Sequence, residues 1–301
     1  MITPYKEDGS VDLETVKRYV RFYFDAGLDG IFAVCQSSEI FYLSVEERAA
    51  IARTVWETVG DLERESGRRM TVVSSGHVAD GIDAQASELN AVASCGTDAL
   101  ILITNRLAAE NEDDGVWIEN AEKLLKKLPS DLPLGLYECP HPYKRLVSEK
   151  TLKWAASTGR FRFMKDTCCD AKIIADRVKW LEGSGFALLN ANCQTLLETL
   201  RGGADGYCGI MANFHPKLYK WLCAHPDDGR ADLVQSVTGT FGFTEGGLPY
   251  PLTAKYHMTL EGIPTVERAR NRPGKALSAY EKDCVKQMRS ATKAMEAALE
   301  I

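Results

Sequence analysis

The sequence predicts an α/β fold: a (β/α)8 TIM barrel with a C-terminal helical extension. Three observations predict it. Short apolar runs alternate with amphipathic helical patterns along most of the chain. A glycine turn recurs between each helix and the next run, as in Gly27-Leu28-Asp29-Gly30, Gly96-Thr97-Asp98-Ala99 and Gly203-Ala204-Asp205-Gly206. No Gly-x-Gly-x-x-Gly phosphate loop follows any run, which speaks against an open doubly wound sheet.

The elements follow in order. Met1-Ile2-Thr3 reads as the end of a first strand that is cut short. Leu13, Val16, Val20 and Phe24 form the apolar stripe of a first helix. Strand candidates are 31–35, 70–74, 99–103, 134–137, 161–165, 186–189 and 207–211. The second helix opens with a capping box, Ser44 and Glu47, and its pattern predicts a stop at Gly60. Later helices are predicted over 82–95, 117–128, 149–157, 173–181, 195–200 and 215–223. Glycine suits the left-handed closing position of a helix and aspartate the turn into a strand, so Gly159 and Gly185 read as further closures. Beyond about residue 225 the strand pattern stops and two or three helices follow, the last over 276–299. The predicted division is a barrel over 1–225 and a helical extension packed on it over 226–301. A length of 301 residues suggests about two domains, but single α/β barrels of about 250 residues are routine.

Composition narrows the function. The chain is 45% hydrophobic and carries 36 basic against 42 acidic residues, a net charge of −6. An acidic chain without a basic block gives no electrostatic reason to expect nucleic acid or an anionic membrane as partner. No apolar run reaches a membrane-spanning length, and no signal peptide precedes Thr3-Pro4. The nine cysteines are odd in number and include no Cys-x-x-Cys pair, which predicts free thiols in a reducing cytoplasm. The five histidines are isolated from one another, so no metal site is expected.

Barrel active sites lie at the C-terminal ends of the strands. Three of those ends carry unusual residues. Phe161-Arg162-Phe163-Met164-Lys165 ends in a lysine, and strict alternation puts Phe161, Phe163 and Lys165 on one face. Burial among aromatic side chains disfavours the charged ammonium, and a neutral amine attacks ketones to form a Schiff base. The alternative is a lysine at the strand edge pointing to water. Leu134-Gly135-Leu136-Tyr137 ends in a phenol that can shuttle protons, with Gly135 and Pro133 leaving room beside it. A core tyrosine is the other reading. Cys35-Gln36-Ser37-Ser38-Glu39 offers hydroxyls and amides to a carboxylate. The strand-end thiols Cys35, Cys139, Cys168, Cys169 and Cys208 read as small apolar filling of the barrel mouth or as a redox-sensitive pocket. Glu138, opposite in parity to Tyr137, is expected in the layer between strands and helices.

Taken together these segments resemble the dihydrodipicolinate synthase and N-acetylneuraminate lyase family of class I, pyruvate-dependent aldolases. The resemblance runs from Thr3-Pro4-Tyr5 through Glu39 and Leu43, and on to Tyr137 with Pro140. It continues in Phe163-Met164-Lys165-Asp166-Thr167, Asn213 with Pro216, and Pro251-Leu252-Thr253-Ala254-Lys255. Lys165 lies 28 residues after Tyr137, the family's spacing. The resemblance implies Lys165 as Schiff-base nucleophile, Tyr137 as proton shuttle and Ser37 as a catalytic hydroxyl. Gln36, Ser38 and Cys208 are the implied substrate-binding neighbours. It implies a lyase or aldolase acting on a 2-oxo acid and an aldehyde, with no cofactor, and a dimer or tetramer.

The sequence departs from that family at three places. Both glycines of the family's Gly-(Ser/Thr)-Thr-Gly-Glu are replaced in Cys35-Gln36-Ser37-Ser38-Glu39. No aromatic residue stands in Thr104-Asn105-Arg106-Leu107-Ala108. Pro142 stands where the synthases carry an arginine, with Arg106 or Arg145 as candidate substitutes. The expected acceptor therefore differs from that of the synthases. A dehydratase of a deoxy-keto sugar acid using the same imine, and a non-catalytic metabolite-binding relative, are the alternatives.

Overall fold

The computed structural model describes residues 1–301. Seven parallel strands form one sheet in sequence order: β1 (Gly30–Phe32), β2 (Thr71–Ser75), β3 (Ala99–Ile103), β4 (Leu134–Tyr137), β5 (Phe161–Asp166), β6 (Ala187–Asn190) and β7 (Gly206–Tyr207). Helices α1 (Leu13–Asp25), α2 (Val45–Ser66), α3 (Ile82–Ala93), α4 (Asp114–Leu125), α5 (Glu149–Ser157), α6 (Ala171–Trp180), α7 (Leu196–Arg201) and α8 (Pro216–Ala224) alternate with them. Three more helices complete the chain: α9 (Ala231–Gly246), α10 (Leu252–Leu260) and α11 (Ala279–Leu299). No helix is long and apolar enough to cross a membrane.

The expected closure by eight strands is not present. The hydrogen-bonded ladder ends at β1 on one side and β7 on the other. Met1–Thr3 are buried at the free edge of β1, where the Met1 amine donates to the Phe32 carbonyl at 2.9 Å, but they form no strand. A cavity of about 470 Å³ opens between the two ends of the sheet and runs from Leu28, Thr71 and Arg162 up to Lys165 and Cys208.

The glycine turns behave as their sequence predicts. Gly27, Gly96, Gly159, Gly185 and Gly203 all take positive φ, the region that a Cβ disfavours. The aspartates after two of them fasten the next strand to its neighbour. Asp98 accepts from the Val72 amide at 2.8 Å, and Asp205 accepts from the Leu188 amide at 2.7 Å.

Three local expectations need correction. Helix α2 does not stop at Gly60; it runs to Ser66 and closes on Gly67 with φ of 72°. A mid-helix glycine costs only about 1 kcal/mol, and the apolar face continues past it through Leu62. The segment Ile210–Asn213 is a 3-10 turn and not a strand. The alternation in β5 is broken, because Leu134 pairs with Phe161 while Gly135 pairs with Phe163, which leaves Arg162 as an extra residue. Phe161 therefore packs outward on Trp154 of α5, with ring centroids 5.8 Å apart, while Phe163 and Lys165 line the cavity.

The same bulge fills the space expected beside Tyr137. A Cβ at Gly135 would lie 2.6 Å from Phe163 Cζ and 2.8 Å from Ile101 Cδ1. Gly135 exists to admit the Phe163 ring, not to leave room for a ligand. Gly135→Ala is expected to cost about 1–3 kcal/mol through overpacking. A urea titration would check it, and a loss below about 0.5 kcal/mol would show that Phe163 can move aside.

A second expectation arises in the C-terminal helices. Glu245 of α9 is 1% exposed, accepts from Thr253 Oγ1 through Oε1, and has no partner for Oε2. Burial pushes its carboxyl up to about 8. The folded state thus holds a proton that the unfolded chain releases near its ordinary value of 4.5, so stability falls as pH rises between about 4.5 and 8. Glu245→Gln mimics the neutral acid. It should leave the melting temperature near wild type at pH 5 and raise stability by about 3–4 kcal/mol at pH 8. An equal effect at both values would show that Glu245 is not protonated in the folded protein.

Candidate functional site

Strand order puts the ends of β1, β4 and β5 within reach of one another around the inner face of the sheet. Tyr137 and Lys165 are direct register partners on β4 and β5. The Lys165 Nζ lies 4.5 Å from the centre of the Tyr137 ring and 5.5 Å from that of Phe32. Phe32 meets Tyr137 edge-on at 5.6 Å. Lys165 is 7% exposed and makes no ion pair and no hydrogen bond to a side chain or carbonyl. A buried primary amine surrounded by ring faces, with an open cavity beside it, is free to act on a ligand rather than to hold the fold.

The loop after β1 supplies the polar groups. Gln36–Ser38 form one 3-10 turn, and Glu39 closes it with φ of 63°. The Tyr137 hydroxyl donates to Gln36 Oε1 at 3.3 Å, and the Cys139 thiol approaches the same oxygen at 3.7 Å. Gln36 thus sits over the phenol. Burial, followed by the neighbouring thiols Cys139 and Cys35, holds the Tyr137 hydroxyl well above its ordinary value, so it stays a proton donor. Ser37 and Cys208 line the cavity beside Lys165.

Ser38 is elsewhere. It is fully buried, its hydroxyl lies 2.8 Å from the Met1 carbonyl and 2.9 Å from that of Ala33, and it accepts from the Cys35 amide at 3.1 Å. Its hydroxyl holds the loop and is spent. The structure therefore brings Lys165, Tyr137, Gln36, Ser37 and Cys208 together and leaves Ser38 outside.

The thiols crowd this end of the sheet, and all nine cysteines are free. Burial pushes the Cys35 thiol up, but the Met1 ammonium and then Lys165 outweigh it and bring it down to about 7. Burial drives Cys139 the other way, to about 11.

The candidate substitute cations are committed. Arg106 pairs with Asp80. Arg145 pairs with Asp114 at 3.1 Å and donates to the Ala109 and Glu112 carbonyls. Lys144 donates to the Thr167 carbonyl at 2.7 Å from an exposed position.

Two tyrosines of this region escaped the sequence reading. Tyr23 donates to Asn213 Oδ1 at 2.7 Å, and Asn213 donates to the Tyr250 hydroxyl at 3.2 Å. Tyr23 and Asn213 line the cavity with Ser37. Only Asn213 carried a signal, through its motif with Pro216. Tyr23 stands on α1 outside any motif.

A primary amine on the cavity wall, a protonated phenol packed against it and the Ser37 hydroxyl on the same wall can condense with a carbonyl compound and move protons on it. Comparison with known proteins points the same way. The model of the dihydrodipicolinate synthetase family matches residues 1–114. A 4-hydroxy-tetrahydrodipicolinate synthase from Chlorobaculum parvum is 25% identical over 293 residues, covering 95% of this chain and 93% of that protein. Among solved structures, a dihydrodipicolinate synthase from Bacillus anthracis superposes with a TM-score of 0.84 at 18% identity, over 97% of this chain and 96% of that one. A prophage protein of the dihydrodipicolinic acid synthase family from E. coli K12, in complex with pyruvate, gives 0.83 at 21% identity, over 97% and 96%.

Proposed function

We propose that the chain is a divergent member of the dihydrodipicolinate synthetase family, as the family model and the similar synthases support, and that it is a lysine Schiff-base lyase or aldolase joining or cleaving a 2-oxo acid and an aldehyde. The observation that carries this reading is Lys165: a buried amine with no counter-charge, 4.5 Å from the Tyr137 ring and open to the cavity. The seven-stranded parallel sheet with its alternating helices is read as a TIM-barrel-like scaffold, with 226–301 as its helical extension.

The chemistry follows from the groups present. The Lys165 amine adds to the ketone carbon of the 2-oxo acid, forming a C–N bond. The oxygen takes one proton from the attacking nitrogen and a second from Tyr137, leaves as water, and gives an iminium beside the Tyr137 phenolate. That cation draws electrons from the neighbouring carbon, which passes a proton back to the Tyr137 phenolate and becomes an enamine. The enamine carbon attacks the aldehyde carbon, and the new alkoxide is protonated by Tyr137. Water then hydrolyses the iminium, returning the amine, and the proton released restores the Tyr137 phenol. Cleavage is the same sequence reversed. Ser37 Oγ and the neighbouring amides hold the carboxylate, and Gln36 holds the phenol in place. Arg106 and Arg145 are tied to Asp80 and Asp114, so neither is free to bind a second carboxylate on the acceptor. This supports an acceptor other than aspartate semialdehyde.

Incubation with pyruvate and borohydride tests the reading. The reduced pyruvyl adduct is expected on the peptide containing Lys165. Turnover of a 2-oxo acid with Lys165 unmodified would refute it.

A further inference from the structure

Glu138 follows Tyr137, and Asp166 follows Lys165. Alternation turns both carboxylates away from the cavity, into the layer between sheet and helices. There they close on one guanidinium, Arg177 of α6, and all three side chains are at most 1% exposed. Arg177 Nη2 donates to Glu138 Oε1 at 2.6 Å and to the Val147 carbonyl at 2.7 Å, and Nη1 donates to Asp166 Oδ2. Glu138 also accepts from the Val147 amide at 2.6 Å and the Thr167 amide at 2.9 Å, while Thr167 Oγ1 donates to the Glu138 carbonyl at 2.6 Å. Asp166 Oδ1 accepts from the Cys168 amide at 2.8 Å.

We infer that Arg177 is a positioning residue for the reaction at Lys165, acting through Glu138 and Asp166 to fix the end of β4 against the end of β5. The inference rests on the functional reading above. A buried ion cluster is a costly way to join two strands, because desolvation offsets most of its attraction. What it adds is direction. A planar guanidinium meets two carboxylates at set angles, so neither strand end can slide without breaking a charged hydrogen bond. Each carboxylate is one residue from a reacting group, so the offset that Arg177 sets is the offset between the Tyr137 phenol and the Lys165 amine. The same fork anchors Val147, the far end of the loop over residues 139–147. A misplacement of about 1 Å between reacting groups can cost about 10²-fold in rate.

The test uses the full chain and pyruvate alone. The rate at which pyruvate methyl protons exchange with deuterium is followed by NMR and divided by the number of Lys165 sites that borohydride traps. Arg177→Lys keeps the charge and loses the fork. Glu138→Asp keeps the charge and shortens the reach by one methylene. Each is expected to lower exchange per trapped site by about 10- to 100-fold. The pyruvate concentration for half-maximal trapping is expected to change less than about threefold, because carboxylate binding lies on another loop. A purely structural role would reduce the number of trapped sites and leave the rate per site unchanged. Rates per site within about twofold of wild type in both variants, beside a wild type that traps and exchanges, would overturn this inference alone. A wild type that does neither removes the functional reading, and this role with it.

Discussion

Lys165→Ala is expected to abolish borohydride trapping by pyruvate and to lower turnover of any 2-oxo acid substrate by at least about 10³-fold. The other amines of the cavity are engaged: the Met1 amine donates to the Phe32 carbonyl, and Lys220 pairs with Asp29 at 2.5 Å. The surrounding lysines and arginines are engaged or outside: Arg177 is locked between two carboxylates, Lys144 is on the exposed rim, and Arg106 and Arg145 face acidic partners. The phenol and hydroxyls that remain can polarise a carbonyl but cannot form the iminium that makes the neighbouring carbon acidic. The same substitution should leave the fold intact. Lys165 is buried without an ionic partner, so it is held in place by the rest of the site and contributes little to stability. A melting temperature equal to or above wild type, together with lost trapping, is the expected pair of results. Retained trapping in Lys165→Ala would move the nucleophile elsewhere.

The order and type of the elements were legible in the sequence because they depend on local signals. Gly27, Gly96 and Gly203 close helices by their own backbone freedom, and Ser44 with Glu47 starts a helix within a few residues. The pair Tyr137 and Lys165 was legible for a similar reason, since each ends a short apolar run. What stayed hidden depends on partners far apart in the chain. The bulge at Arg162 exists only because β4 and β5 meet with Gly135 against Phe163. Arg177 is 39 residues from Glu138 and 11 from Asp166, and nothing in either spacing announces one buried cluster. Ser38 and Ser37 are neighbours of the same chemical type. Only the packing of Met1 and Ala33 shows that one is spent inside the loop and the other faces the cavity. Closure of the sheet is not a local property either: the number of strand and helix units does not say whether Met1–Thr3 pair with both ends of the ladder, and they form no strand.

Lys255→Met is expected to destabilise the protein by about 3–5 kcal/mol, the range for leaving one partner of a buried ion pair uncompensated. Lys255 of α10 donates to Glu39 Oε1 at 2.8 Å, and both side chains are fully buried. Burial pushes the Lys255 ammonium below its ordinary value, with Glu39 opposing that shift. Glu39 Oε2 accepts from the amides of Arg270, at 2.5 Å, and Asn271, at 3.1 Å. Lys255 also donates to the Arg268 carbonyl and lies 4.4 Å from the Tyr5 ring. One carboxylate thus joins the loop that carries Gln36 and Ser37 to the C-terminal segment. Methionine fills the lysine's volume, so the loss measures the stranded charge more than a cavity. Removing the charge as well separates the two. Glu39→Gln combined with Lys255→Met should recover more than half of the loss, because the amide oxygen still accepts from the two backbone amides. Denaturant unfolding of both single variants and the double variant gives the coupling directly. A loss below about 1 kcal/mol in Lys255→Met would mean that water or a rearranged Arg270 reaches Glu39. A double variant no more stable than Lys255→Met would mean that the ammonium's contacts with Tyr5 and Arg268 matter more than its pairing with Glu39.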